Sequence, residues 1–189
     1  MDAALDLLAV RGEDGVTLRE LTSAADANVA AVSYHFGSLK SLCEAAVEQA
    51  LDRYLESQRE AVSSLGPGST LEELATAFAR PMTSAMAVGG PDLAVIRIVA
   101  RAAIDPPAGW SRFDDSFDRV RADVLRVLKK NVPGVSDQEL IFRTRCAAGL
   151  MNWLVLAPIG AELMNKSQKQ LERRLVPLLA GTFRGTSPA

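Results

Sequence analysis

Apolar residues recur every three or four positions along almost the whole chain, and small polar residues or glycine and proline interrupt them at intervals. That is the period of amphipathic helices, not of strands. Leu5 and Leu8 mark the inward face of a first helix, Met1 to about Val10, and a glycine-bounded turn follows from Arg11 to Val16. Thr17 with Glu20 three residues later forms a capping box ahead of Leu18 and Leu21. Asp26-Ala27-Asn28 breaks the pattern, and Asn28 caps a short helix whose apolar line is Val29, Val32 and Phe36. Its other face carries Ala30, Ala31 and Tyr34, flanked by Ser33 and His35.

Gly37-Ser38 ends that helix, and Ser38 caps a long one reaching about Leu65, with Leu42, Ala46, Ala50 and Leu55 on one side. Gly66-Pro67-Gly68 stops it. Ser69 or Thr70 opens the next, which ends at Gly89-Gly90 and is expected to kink at Pro81, where a backbone donor is missing. Met82 and Met86 on this helix are core or cavity residues. Pro91 and Asp92 start a helix to about Ile104, and Pro106-Pro107 ends it. Trp110 to Lys130 aligns Phe113, Phe117, Val120, Val124 and Leu128 on one face. Asp114-Asp115 on the other face point in different directions and read as solvated surface. Ser136 and Glu139 predict a second capping box before a helix from Asp137 to about Leu156, apolar nearly all round from Cys146 onward. The last helix, about Ser167 to Phe183, has a stripe of Leu171, Leu175, Leu178 and Leu179. Lys166, Lys169, Arg173 and Arg174 form its solvated or interface-rim side. No segment alternates with period two. The expectation is an all-α protein of about nine helices: an N-terminal helix-turn-helix domain at 1–45 and a helical domain at 46–189.

Composition narrows the class. Of 189 residues 48% are hydrophobic and 23% charged, ordinary for a chain that buries a core. Cys43 and Cys146 both sit in apolar helical patterns, which suits buried thiols in a reducing cytosol better than a disulfide. His35 is the only histidine, so no metal cluster is expected, nor any cofactor. No signal peptide is visible, and the longest nearly apolar run, Cys146 to Ala161, is too short for a bilayer. A soluble, cytoplasmic protein without membrane association is expected. The sequence has no glycine-rich phosphate loop, no G-x-S-x-G and no metal motif, which argues against an enzyme.

Two short capped helices with a tight turn, the second showing small and polar side chains, have the form of a helix-turn-helix. Small residues let a helix sit deep in a major groove, while Ser, Tyr and His bond bases or phosphates. An ordinary helical hairpin has the same capping and spacing, so pattern alone leaves both readings open. Charge pulls against DNA: residues 1–50 carry eight acids and three bases, a net of −5, within a chain at −2. Neutralising phosphates normally supplies much of the affinity.

The run SYHFGS with Leu42 after it, the TLREL-type helix before it, and Ala3-Ala4-Leu5, Leu8 and Gly12 to Gly15 resemble the DNA-binding domain of the tetracycline-repressor (TetR) family. The resemblance covers about the first fifty to sixty residues; beyond them the chain matches only in being helical and of suitable length. It implies a homodimer that binds a roughly palindromic operator in double-stranded DNA, with a small-molecule effector in the C-terminal domain. The inferred DNA contacts are Thr17, Ala30, Ala31, Ser33, Tyr34, His35 and Lys40, with Asn28 as cap of the reading helix. The pocket would draw on Met82, Met86, Trp110, Phe113 and Phe117, a lining that favours an apolar or aromatic ligand. The dimer interface would draw on Leu150, Trp153, Leu154, Leu171, Leu175 and Leu178. The biology this resemblance implies is repression relieved by the ligand; a helical dimeric sensing module with weak or lost DNA binding is the alternative. Asp26 stands where that family often has glycine, and Leu39 where it often has a phosphate-binding lysine, with Lys40 next door. The family usually has a basic arm before the first helix; the sequence here starts on that helix, so no arm contacts are expected from it.

Overall fold

The computed structural model describes residues 2–12, 15–66, 68–106, 110–157 and 166–185. The expected start at Met1, the breakers Pro67 and Pro107, and the end of the apolar run at Pro158 to Ala161 lie outside them. The described residues form helices α1 (Asp2–Arg11), α2 (Leu18–Ala24), α3 (Val29–Phe36), α4 (Leu39–Ser63), α5 (Leu71–Val88) and α6 (Gly90–Ile104). A short 3-10 turn, Trp110–Phe113, then leads into α7 (Asp114–Asn131), followed by α8 (Asp137–Leu156) and a helix here numbered α9 (Gln168–Arg184). Among the described residues there is no strand. None of their helices is long and apolar enough to cross a membrane.

Side-chain caps set most of the helix starts. Thr17, Asn28, Ser38, Thr70, Ser136 and Ser167 each accept a hydrogen bond from a backbone amide in the first turn. Such caps satisfy donors that have no partner within the helix. Thr70 with Glu73 and Ser167 with Gln170 form complete capping boxes. The box expected at Ser136 is only half made. Ser136 Oγ accepts from the Glu139 amide at 3.3 Å, but the Glu139 carboxylate turns down the helix to Arg143, 2.8 Å away. The corner between α5 and α6 places Gly89 and Gly90 at φ 73° and 67°, a left-handed pair that side chains other than glycine resist. α5 continues through Pro81 without a break.

α4 is the central strut. It packs against α1 and α3 near its start and against α5, α6 and α7 further along. The expected division at 45/46 therefore falls inside one helix, and a single cluster of buried side chains runs from Leu5 to Phe183. Leu42, Ala46, Ala50 and Leu55 all face that cluster, as their spacing predicts. α9 lies chiefly on α5, where the rings of Phe78 and Phe183 meet edge to face at 5.6 Å. Leu74, Met86, Leu128, Leu140, Leu171 and Leu179 are fully buried in the core, each contributing about 1.5–3 kcal/mol relative to exposure.

Three expectations change. Val29 is 46% exposed, because it is the first residue of α3 and lies ahead of the turn that Val32 buries. Cys43 is buried but Cys146 is exposed. Leu171, Leu175 and Leu154, expected at a dimer interface, are buried in the chain's own core, at 1%, 4% and 9% exposure. Periodicity places Leu171 and Leu175 on one face; that face is buried within the chain, where α9 packs on α5 and α8.

Candidate nucleic-acid head and ligand cavity

The head is α1, α2, α3 and the first turns of α4. Leu5, Leu8, Val16, Leu21, Val32, Leu42 and Cys43 fill its interior. Packing through Val32 fixes one side of α3 and leaves the other free. On that free side Ala30, Ser33, Tyr34 and His35 are exposed, and Ala31 is half-buried. Tyr34 is 86% exposed and its ring meets that of His35 edge-on at 5.0 Å. Asn28 Oδ1 accepts from the Ala30 amide at 2.9 Å and so holds the start of α3. Lys40 is exposed on the first turn of α4. Of the residues named from sequence for DNA, Asn28, Ala30, Ala31, Ser33, Tyr34 and His35 lie on α3 or cap it, Lys40 is on the first turn of α4, and Thr17 caps α2. α3 itself carries no acid.

Thr17 is already engaged. Its Oγ1 accepts from the Glu20 amide at 3.3 Å and donates to Glu20 Oε2 at 2.7 Å, while its own amide donates to that oxygen at 3.1 Å. Arg11 Nη1 holds the other carboxylate oxygen at 2.5 Å. The Thr17 hydroxyl, and after it the Arg11 guanidinium, hold the Glu20 carboxyl down at about 2. A carboxylate therefore already takes up the Thr17 amide and hydroxyl at the start of α2. Asp26 in the turn adopts φ 47°, the left-handed conformation that glycine takes without strain.

The helical remainder holds a half-open cavity of about 230 Å³ between α4, α5, α7 and α8. Phe78, Phe117, Val120 and Val124 give it apolar walls, and Tyr54, Gln58 and Thr144 add polar groups. Burial pushes the Tyr54 phenol up to about 12, so it stays protonated. Of the pocket residues expected from sequence, Phe117 lines this cavity. Met82, Met86 and Phe113 are buried core residues that do not. The side chain of Trp110 lies outside what the structure describes. Gln58 was missed, although its position gives a signal: Leu51, Leu55, Gln58 and Val62 follow one apolar face, and only Gln58 breaks it. No group of three or more potential metal ligands occurs among the described residues.

Residues 1–46 match the model of the bacterial regulatory proteins of the tetR family, and residues 76–182 match a tetracyclin repressor-like C-terminal domain. The chain belongs to the TetR family. As a member it is a DNA-binding transcriptional regulator and not an enzyme. Solved TetR proteins share the fold over nearly their full length. PfmR, a TetR family transcriptional regulator from Thermus thermophilus, is 16% identical with a TM-score of 0.65, covering 99% of this chain and 98% of that one. A TetR-like regulator from a Rhodococcus species gives 16% identity and 0.67, covering 96% and 90%. A putative transcriptional regulator from Pseudomonas aeruginosa gives 21% and 0.60, covering 97% and 89%. A comparison with curated proteins finds no match.

The outer surface of α8 and α9 carries the remaining unusual feature. Phe142, Cys146, Gly149 and Trp153 are exposed at spacings of four, three and four, one continuous line on α8. Phe142 is 61% and Trp153 56% exposed, and Leu178 on α9 is 57% exposed. Leu150 is half-buried. Gly149 and Gly181 lie within these helices with open space where a Cβ would stand. Among the described residues nothing requires a glycine at either place.

Proposed function

We propose that this TetR protein is a homodimeric repressor whose two α3 helices read successive major grooves of a palindromic operator, and that a small apolar or aromatic molecule in the α4–α8 cavity releases it. The observation that carries the DNA reading is α3 itself: capped at Asn28, anchored by Val32, free of acids, and presenting Ser33, Tyr34 and His35 outward. Two-fold symmetry would set the half-sites about 34–36 Å apart or a multiple of it. Ser33 and Tyr34 are assigned to bases or phosphates, Lys40 to phosphate, and Asn28 to positioning α3.

The dimer is assigned to the exposed line Phe142, Cys146, Gly149 and Trp153 together with Leu178. Large apolar side chains beside exposed glycines suit a partner helix that approaches closely. The test is a gel-shift series on operator fragments selected from a random library. Tyr34→Ala is expected to weaken binding at least tenfold and Arg173→Ala less than twofold; equal effects refute the placement of the reading surface. The acidic head and the carboxylate at Thr17 favour a second reading, a dimeric sensing module with weak DNA affinity. Failure of the wild-type protein to enrich any palindrome would support that reading instead.

A further inference from the structure

The lining of the α4–α8 cavity includes one polar side chain with an atom that nothing among the described residues satisfies. Gln58 is 2% exposed. Its Nε2 donates to the Phe78 carbonyl at 3.2 Å, which fixes the orientation of the amide. Phe78 lies on α5 one turn before Pro81. Gln58 Oε1 is buried and has no hydrogen-bond partner among the described residues. Buried carbonyl oxygens are rarely left so, and an unpaired one marks either a bound molecule or a distinct role.

The neighbouring polar groups do not answer it. The Thr144 hydroxyl donates to the Leu140 carbonyl at 2.8 Å. Arg121 is paired with Asp118. Arg145 is exposed at the cavity's edge. The walls near Gln58 are Leu55, Phe78, Phe117, Val120 and Val124. Gln58, one of the lining residues, therefore carries a fixed and unpaired acceptor oxygen beside apolar walls.

We propose that the cavity takes a small, uncharged, mainly apolar molecule bearing one hydroxyl or N–H group, which donates its hydrogen to Gln58 Oε1. The proposal rests on the ligand-sensing reading above and specifies the ligand's chemistry. Ethers, esters, ketones and carboxylates are disfavoured at this end, because they would set one acceptor oxygen against another. At about 230 Å³ the space lies below the usual range of ligand pockets and suits a single substituted ring. A site built around one hydrogen bond rejects analogues that lack the matching group, because its own polar atom is then left unpaired.

The test uses the full chain and two probes of nearly equal shape, 4-ethylphenol and 4-ethyltoluene, titrated calorimetrically into wild type, Gln58→Leu and Gln58→Met. Wild type is expected to prefer the phenol at least tenfold, against the greater hydrophobicity of the toluene. Both variants are expected to bind the two probes within twofold of each other, and the methionine variant guards against misfolding of the leucine one. Equal binding of both probes by wild type, or a phenol preference that survives in the variants, overturns the Gln58 assignment and leaves the cavity as a ligand site. Binding of neither probe to wild type at millimolar concentration overturns the ligand-site reading and the Gln58 assignment together.

Discussion

Gly149 offers a direct test of where two subunits meet. It lies in the interior of α8, exposed, and beyond its own stretch of helix no described atom comes within 4 Å of the position its Cβ would take. In an isolated subunit a leucine there meets no obstacle. It should stabilise the helix by about 0.8 kcal/mol, because glycine is the poorer helix former by nearly 1 kcal/mol. Against a partner helix the outcome reverses. Overpacking an interface costs about 1–3 kcal/mol per site, and a two-fold dimer repeats the site in both subunits. The net expectation for Gly149→Leu is a dimer dissociation constant raised by about thirtyfold or more, equivalent to at least about 2 kcal/mol. Sedimentation equilibrium measures the dissociation constant, and urea unfolding at low protein concentration measures the subunit. A Gly149→Leu protein that is stabilised as a subunit and weakened as a dimer supports the interface. One that dimerises as tightly as wild type places the interface elsewhere, and the exposed Phe142 and Trp153 then need another explanation.

Three further outcomes follow from single residues. Asp26→Gly should raise stability by about 1 kcal/mol in urea unfolding, since Asp26 occupies the left-handed region at φ 47°; Asp26→Val should lower it. Glu20 titrates at about 2 in the folded head against 4.5 in the open chain, so its contribution is complete above about pH 4.5 and is lost as the pH falls through about 2. Near-ultraviolet circular dichroism of wild type and Glu20→Gln should differ in their acid dependence across that window and nowhere above it. Arg143 donates to the Phe183 and Arg184 carbonyls at the end of α9 and pairs with Glu139. Arg143→Met should therefore cost about 2 kcal/mol and speed amide exchange in the last turn of α9.

The helical architecture was legible because each helix carries its own cap and its own apolar stripe. Thr17, Asn28, Ser38 and the spacing of Leu42, Ala46, Ala50 and Leu55 specify their segments almost without reference to the rest of the chain. What periodicity cannot say is which surface covers a stripe. Leu171 and Leu175 share a face buried within the chain, while Leu178 looks outward. On α8 the pattern is apolar nearly all round, so the exposed line from Phe142 to Trp153 emerges only once Leu140, Ala147 and Met151 are seen to occupy the core. Glu139 could complete a cap or join Arg143, and the choice depended on Arg143 being drawn in by the end of α9. Gln58 was visible as a polar residue on an apolar face, but its unmet oxygen is a property of the surrounding packing.

The carboxylate that closes the start of α2 also shapes how the protein meets DNA in salt. Arg11 is committed to Glu20, which leaves Arg19 and Lys40 as the exposed bases of the described head without an ion pair among the described residues. A dimer would then neutralise about four phosphates, and its affinity would fall with salt at a logarithmic slope of only about −4. Attraction to arbitrary DNA would be correspondingly faint. Such a regulator would slide little between sites and would find its operator mainly by repeated landings from solution.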